Sequence, residues 1–185
     1  MANQKGGVAK TSSTRNLAYS LAELGKKVLA VDFDPQTNLT ISFGVAPAAL
    51  QETAASLMMK LVMDEALPEK ASYILNIGKV DLLPSKKTLT VAEVNLLIER
   101  KDDCLAKLLA PLRADYDYIL VDTGPSLGSL TINAFTAADE IIIPIDPELF
   151  ALVGLKELTE TISKIKQNLN PEVEIIGILF TKCSK

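Results

Sequence analysis

A chain of 185 residues with 48% hydrophobic side chains is long enough for one domain with a buried core. Its formal charge of -4 argues against a basic nucleic-acid surface over the whole molecule, and no local lysine or arginine cluster of that kind stands out. Cys104 and Cys183 are far apart in a chain without histidine, which points away from a zinc site or a disulfide framework and fits a reducing cytoplasm. The N-terminus lacks the long apolar stretch of a signal peptide, and no apolar run approaches the roughly 20 residues that span a bilayer, so a soluble protein without a transmembrane segment is expected.

Short Val/Ile/Leu-rich runs alternate with longer stretches of helical period, which predicts an α/β fold with a mainly parallel sheet covered by helices on both faces. Thr11 to Leu24 reads as a helix with Leu17, Leu21 and Leu24 on its buried face and Gly25 as a left-handed cap. "KVLAVDFD" follows as a buried strand with carboxylates at its C-terminal tip. Helices are expected from about Glu52 to Met63, from Val91 to Arg100 and from Cys104 to Arg113, with the strand "KVDLLPS" between the first two. Then come "YDYILVD" as a strand, Leu127 to Ala137 as a helix, "EIIIPID" as a strand, Leu149 to Asn168 as a long helix and "EIIGILF" as a last strand. No repeat or linker interrupts the series, so residues 1–185 read as a single domain.

The stretch "ANQKGGVAKTSS" has the parts of a phosphate loop. Gly6 and Gly7 permit the tight turn that aims backbone N–H groups inward, and a helix N-terminus follows. Lys10 is placed to reach β- and γ-phosphates, and the Thr11 hydroxyl to ligate Mg2+. The match to G-x-x-x-x-G-K-[ST] is imperfect, with Gln4 and Ala9 at the glycine positions. Ala9 must therefore hold a negative φ or accept strain. An ordinary glycine-rich turn before a helix is the plain alternative. "VLAVDFDPQTN" sets Asp32 and Asp34 at one strand end and "YILVDTGPS" sets Asp122 at another, where ligands of open α/β sheets gather. A strand-end aspartate that caps a turn is the alternative for each, but three motifs in this order are hard to assign to capping.

"NQKGGVAKTSST", "VDFDPQTNLT" and "YDYILVDTGPSLGSLTINAFTAADEIIIPIDPELFALVGL", in that order, resemble the ParA/MinD family of deviant Walker A ATPases, and within it the ParA or Soj-like partitioning branch. The resemblance covers nearly the whole chain. It implies a P-loop fold with ATP and Mg2+ as cofactors, a phosphate loop over Lys5, Gly6, Gly7, Val8, Ala9, Lys10, Thr11 and Ser12, and slow hydrolysis. It further implies an ATP-dependent homodimer in which Lys5 reaches the partner's phosphates. Asp34 would position the attacking water, Asp122 and Thr11 would serve the Mg2+ site, directly or through water, and Asp32 would support that carboxylate cluster. A ParB-like centromere-binding protein is the implied partner, with a cytoplasmic and, if DNA is bound, nucleoid-associated location.

The departures carry expectations of their own. A buried strand precedes the phosphate loop in that family, whereas only Met1 to Asn3 stand before Gln4, so the first strand is expected to be missing. The adenine-contacting segment and terminal helices that follow the strand matched by "IIGILF", with their DNA- or membrane-binding residues, are also expected to be absent. Gly124 stands where partitioning relatives often have proline. The other readings are a MinD-like ATPase on membranes, which needs an amphipathic C-terminal helix not seen here; an iron-sulfur carrier of the Mrp type, disfavoured because there is no C-x-x-C; and a non-catalytic binding module of the same fold.

Overall fold

Burial decides the framework. The run Val28–Phe33 is buried at every residue and forms β1, the strand about which the larger sheet is built. Its odd-numbered residues Leu29, Val31 and Phe33 enter one apolar cluster, while Val28 and Ala30 enter a second on the opposite face. Alternation about a strand buried on both sides thus requires helices above and below it. The computed structural model describes residues 1–147 and 151–183, with only the backbone at 151–153.

The chain runs α1 (Lys10–Glu23), β1, α2 (Asn38–Ser42), α3 (Ala54–Val62), β2 (Leu75–Ile77), β3 (Val80–Leu83), α4 (Leu89–Glu99), α5 (Cys104–Leu109), β4 (Tyr118–Thr123), α6 (Ser129–Ala137), β5 (Glu140–Ile145), α7 (Ala151–Asn168) and β6 (Glu174–Phe180). The fold is α/β with a mostly parallel arrangement, as the sequence predicts. The expected helix from Leu149 starts among residues outside those described; its described part agrees. Thr53 and Ser56 form a capping box at the start of α3, with the Thr53 N–H donating to Ser56 Oγ at 2.8 Å. Pro111 ends α5 earlier than expected, because a residue without an N–H cannot continue the ladder, and a 3-10 turn over Ala110–Leu112 finishes the segment.

Two elements escape the sequence reading, and a third buries a different face from the one expected. β2 pairs antiparallel with β3 across a turn at Gly78, whose φ of 69° suits glycine. The short α2 follows Thr37, itself left-handed at φ 58°. The third difference lies in α1, whose buried residues are Lys10, Thr14, Ala18 and Ala22 rather than the expected leucine stripe. Leu24 is 76% exposed. Small side chains let α1 approach the sheet closely, and Leu17 and Leu21 turn sideways into a neighbouring cavity. Gly25 does cap the helix, at φ 79°, with its N–H on Ala22 O.

The strands form two sheets, β2-β3-β1-β4 and β5-β6, instead of one. Asp32 of β1 lies in register with Asp122 of β4, so two carboxylates project side by side on the α1 face. Helix α6 links the sheets: Leu130 and Ala134 pack with α3 to α5, and Phe135 packs with Ile141, Ile143, Leu158 and Ile162. Between the sheets the first residues take the place of a strand. The Met1 ammonium donates to Val121 O of β4 at 2.8 Å, and the Ala2 N–H to Ile142 O of β5 at 3.2 Å. Behind them a cavity of about 570 Å3 separates β4 from β5.

Candidate functional site

The segment Asn3–Lys10 is held from both sides. The Asn3 amide donates to Pro144 O at 2.6 Å, and its Oδ1 accepts the Lys5 N–H at 2.9 Å. The turn itself uses left-handed backbone at Gly7 (φ 74°) and Ala9 (φ 61°). The expected choice at Ala9 thus falls on strain: the residue occupies the region that favours glycine, as the N-cap of α1. Its carbonyl starts the helix by accepting the Ser13 N–H at 2.8 Å. The N–H groups of Lys10, Thr11 and Ser12 have no carbonyl one turn earlier within the helix, and together with the helix dipole they favour an anion. No described atom comes within 4 Å of a Cβ built on Gly6, so that side of the loop is open.

Lys10 is buried at the centre of this loop. Its Nζ donates to Asn3 O at 2.9 Å and to Lys5 O at 3.2 Å. Burial lowers its pKa, and the charges of Asp122 and Asp34 oppose that shift. Thr11 Oγ1 donates to Asp122 Oδ2 at 2.6 Å, and the Thr14 hydroxyl lies 3.0 Å from Lys10 O and 3.4 Å from Asp122 Oδ1. Asp122 is fully buried in β4, which raises its pKa; the Thr11 hydrogen bond and the Met1 ammonium act the other way. Lys10, Thr11 and Asp122 thus lie together, Thr11 bonded to Asp122 and Lys10 within reach of its charge.

The two carboxylates of β1 have separate places. Asp34 stands just beyond the strand, with Oδ1 accepting the Gln36 N–H at 2.9 Å, and its charge acts on both Lys10 and Asp122. A Cβ on Gly124 would lie 3.3 Å from Asp34 Oδ1, so the chain leaving β4 passes directly over this carboxylate. Asp32 turns instead toward α2. Its Oδ2 accepts the Thr40 N–H at 2.8 Å and the Thr40 hydroxyl at 2.6 Å, and its Oδ1 accepts the Asp34 N–H at 3.3 Å. Desolvation pushes the Asp32 pKa up to about 7 against these hydrogen bonds. It is thus an anchor for Thr40 and for the start of Asp34, one strand away from the loop.

Lys5 has half-exposed Nζ at 3.8 Å from Asp146 Oδ2, and Lys182 reaches the same oxygen at 3.3 Å. Asp146, buried past the end of β5, was missed by the sequence reading although "IIIPID" carries the same signal as the other strands, apolar residues followed by aspartate. Asn3 carries no motif signal: its contacts with Lys5 and Lys10 are local, but its amide reaches Pro144 of β5. Among the described residues no group of three or more histidine, cysteine or acidic side chains is placed to hold a metal ion, and no helix is long and apolar enough to cross a membrane. Cys104 is buried and Cys183 exposed, both as free thiols.

The model of the AAA domain family matches residues 1–175. The chromosome partitioning protein ParA of Caulobacter vibrioides is 38% identical over 98% of this chain and 67% of its own length. A solved structure of cobyrinic acid a,c-diamide synthase from Mycobacterium smegmatis, with bound ATP analogue and magnesium, has a TM-score of 0.88 at 36% identity, covering 97% of this chain and 72% of its own. A plasmid partition protein from Borrelia burgdorferi has a TM-score of 0.82 at 31% identity, covering all of this chain and 77% of its own. With the family model spanning most of its length, a ParA protein among its relatives and the loop built as described, the chain belongs to the ParA/MinD family of P-loop ATPases.

Proposed function

We propose that residues 1–185 act as one P-loop ATPase domain that binds ATP with Mg2+ over Lys5–Ser12, dimerises on binding and hydrolyses slowly, as a switch in chromosome or plasmid partitioning. The observation that carries the nucleotide part is the Thr11 to Asp122 contact of 2.6 Å beside the buried Lys10. The residues present fit the group. Open backbone at Gly6, the free helix N-terminus and two lysines suit a polyphosphate, and a hydroxyl with one carboxylate suits Mg2+, which keeps several waters and takes few protein oxygens. When bound, Mg2+ supplies charge neutralisation on the phosphate oxygens.

The protein's own groups divide the remaining work. Lys10 adds positive charge at the centre of the loop, and Asp122 orients the Thr11 hydroxyl. Asp34, in a chain without histidine, is the carboxylate placed to orient an attacking water, and Asp32 fixes the backbone that leads to it. Lys5 serves as the lysine given to a partner's phosphates, an arrangement that ties hydrolysis to assembly as an arginine finger does. The names of the Caulobacter and Borrelia proteins support the partitioning role. A ParB-like protein is the stimulating partner that role calls for, and a nucleoid location follows only where DNA is bound. The name of the Mycobacterium protein belongs to a different chemistry on a similar fold.

The test is a thermal melt of the 185-residue chain with and without ATP and Mg2+, repeated for Lys10→Ala. Nucleotide at a hundredfold excess over its Kd should stabilise the wild type by about 2.7 kcal/mol, a rise of roughly 5–10 °C, and should leave the variant unmoved. An equal rise in both would show that the loop does not hold the phosphates. Turnover that a DNA-bound centromere-binding protein does not increase would remove the partitioning role and leave the ATPase.

A further inference from the structure

Helix α4 carries two apolar faces. Leu89, Ala92 and Leu96 are fully buried and turn into the cluster shared with α3, α5 and α6. Val91, Val94, Leu97 and Ile98 recur at three- and four-residue spacing on the opposite side, where they are 52–69% exposed. A helix that is apolar all round is normally enclosed by protein, whereas a surface helix turns charged residues outward. We infer that this outer stripe is an interaction surface for a second copy of the chain, the two α4 helices packing antiparallel about a twofold axis near Val94.

Charge selects the occupant. At the start of α4 stand Lys86 and the exposed Lys87, with no acidic residue from Pro84 to Ala92. Glu93, the first one, reaches away to Gly128 at the start of α6. At the other end Lys101 is taken by Asp64 and by the carbonyls of Leu61 and Val62, and Asp103 by Lys107, so Glu99 and Asp102 outweigh Arg100. The helix thus has no acidic residue in its first turn and no basic one in its last, the reverse of what its own dipole favours. A second α4 laid antiparallel corrects this, because Lys87 of each copy comes beside Glu99 and Asp102 of the other and the two dipoles oppose. A parallel partner would set like ends together. The antiparallel register also places Val91 of one copy opposite Ile98 of the other and Val94 near its own equivalent, a self-complementary patch of the kind a twofold contact requires. Specific interfaces below about 1,200 Å2 in total are weak, and one helix from each copy makes a contact of that class, so a Kd on the order of 100 µM is expected.

The experiment is sedimentation equilibrium of the full chain without nucleotide, from about 5 to about 500 µM at low salt, with circular dichroism to show that each variant is folded. The wild type should move from monomer toward dimer over this range. Val94→Asp, at an exposed position, should raise the Kd about tenfold or more. Lys87→Glu and Glu99→Lys should each raise it about threefold, and the double variant, with both ends reversed, should return it to the wild-type value. Neither charge reversal should unfold the monomer, since each one improves the match to the helix dipole. A chain that stays monomeric at the highest concentration overturns the inference and leaves the stripe to a helix of another protein. Association that survives Val94→Asp belongs to another apolar face, such as Ile176 and Phe180 of β6, and also overturns it. Failure of the double variant to recover overturns the antiparallel pairing. Lys5→Ala is measured alongside: it should leave this association unchanged, and a loss there would assign the contact to the phosphate-loop face instead. With no nucleotide present, the result stands apart from the ATPase reading.

Discussion

Asp32 offers the sharpest test of the electrostatics. It is fully buried on the α1 face beside Asp122, and desolvation moves its pKa from 3.8 to about 7. The folded state thus binds this proton more tightly than the unfolded chain. The stabilisation is complete below pH 3.8 and is lost as pH rises to about 7. About 3 pH units at 1.36 kcal/mol each make the loss about 4 kcal/mol. Asp32→Asn removes the titration and keeps an oxygen for Thr40; its amide nitrogen falls where Oδ1 meets the Asp34 N–H at 3.3 Å, the longest of the three contacts. Urea unfolding of both proteins at pH 4.5, 6 and 7.5, without nucleotide or metal, gives the difference in stability at each pH. The variant should gain on the wild type with rising pH, by up to about 4 kcal/mol over the full window. A difference constant to within about 1 kcal/mol would show that Asp32 is already ionised in acid and that its hydrogen bonds outweigh its burial.

Three further substitutions probe the loop and its surroundings. Thr11→Val deletes the 2.6 Å bond to Asp122 and should cost about 1–3 kcal/mol, while abolishing the Mg2+-dependent part of ATP-induced stabilisation; a variant that keeps that part would take Thr11 out of the metal site. Ala9→Gly relieves a left-handed alanine at φ 61° and should raise the urea midpoint by an amount worth about 0.5–1 kcal/mol, after the entropy cost of glycine in the unfolded chain. A lowered midpoint would mean that the Ala9 methyl group makes a packing contribution larger than its strain. Asp34→Ala should retain the ATP-induced rise in Tm and lose phosphate release, since among the described residues Asp34 bonds to the Gln36 N–H and not to the loop; unchanged turnover would exclude it as the water-positioning group.

The parts of the site that follow one another along the chain are legible from residues alone. Lys10 and Thr11 open a helix after a glycine turn, and Asp122 follows four apolar residues, so their types and spacing point to a phosphate loop facing a carboxylate before any coordinates are known. Asp32 and Asp34 look alike in "VDFDPQTN", yet one anchors Thr40 and the other lies by the loop. Strand alternation alone would put residues 32 and 34 on one face; they differ because β1 ends at Phe33, which leaves Asp32 in the strand facing Thr40 and Asp34 in the chain beyond it, under Gly124. Asn3 has no motif to mark it, and Asp146 is marked only by the apolar run before it, since its partners Lys5 and Lys182 lie far away in sequence.

Hydrophobic runs and helical period determined the α/β class, the order of nearly all elements and the three motifs, because those signals are local and each element announces its own buried face. Tertiary structure decided the rest. The leucines of α1 line a cavity because small residues pack a helix closest to a sheet, and Ala9 is left-handed at the junction of the loop with α1, which its residue type does not announce. Above all, the choice of neighbours is decided in space: β1 pairs with β3 and β4, and β5 with β6, and no strand taken singly says which others it will meet.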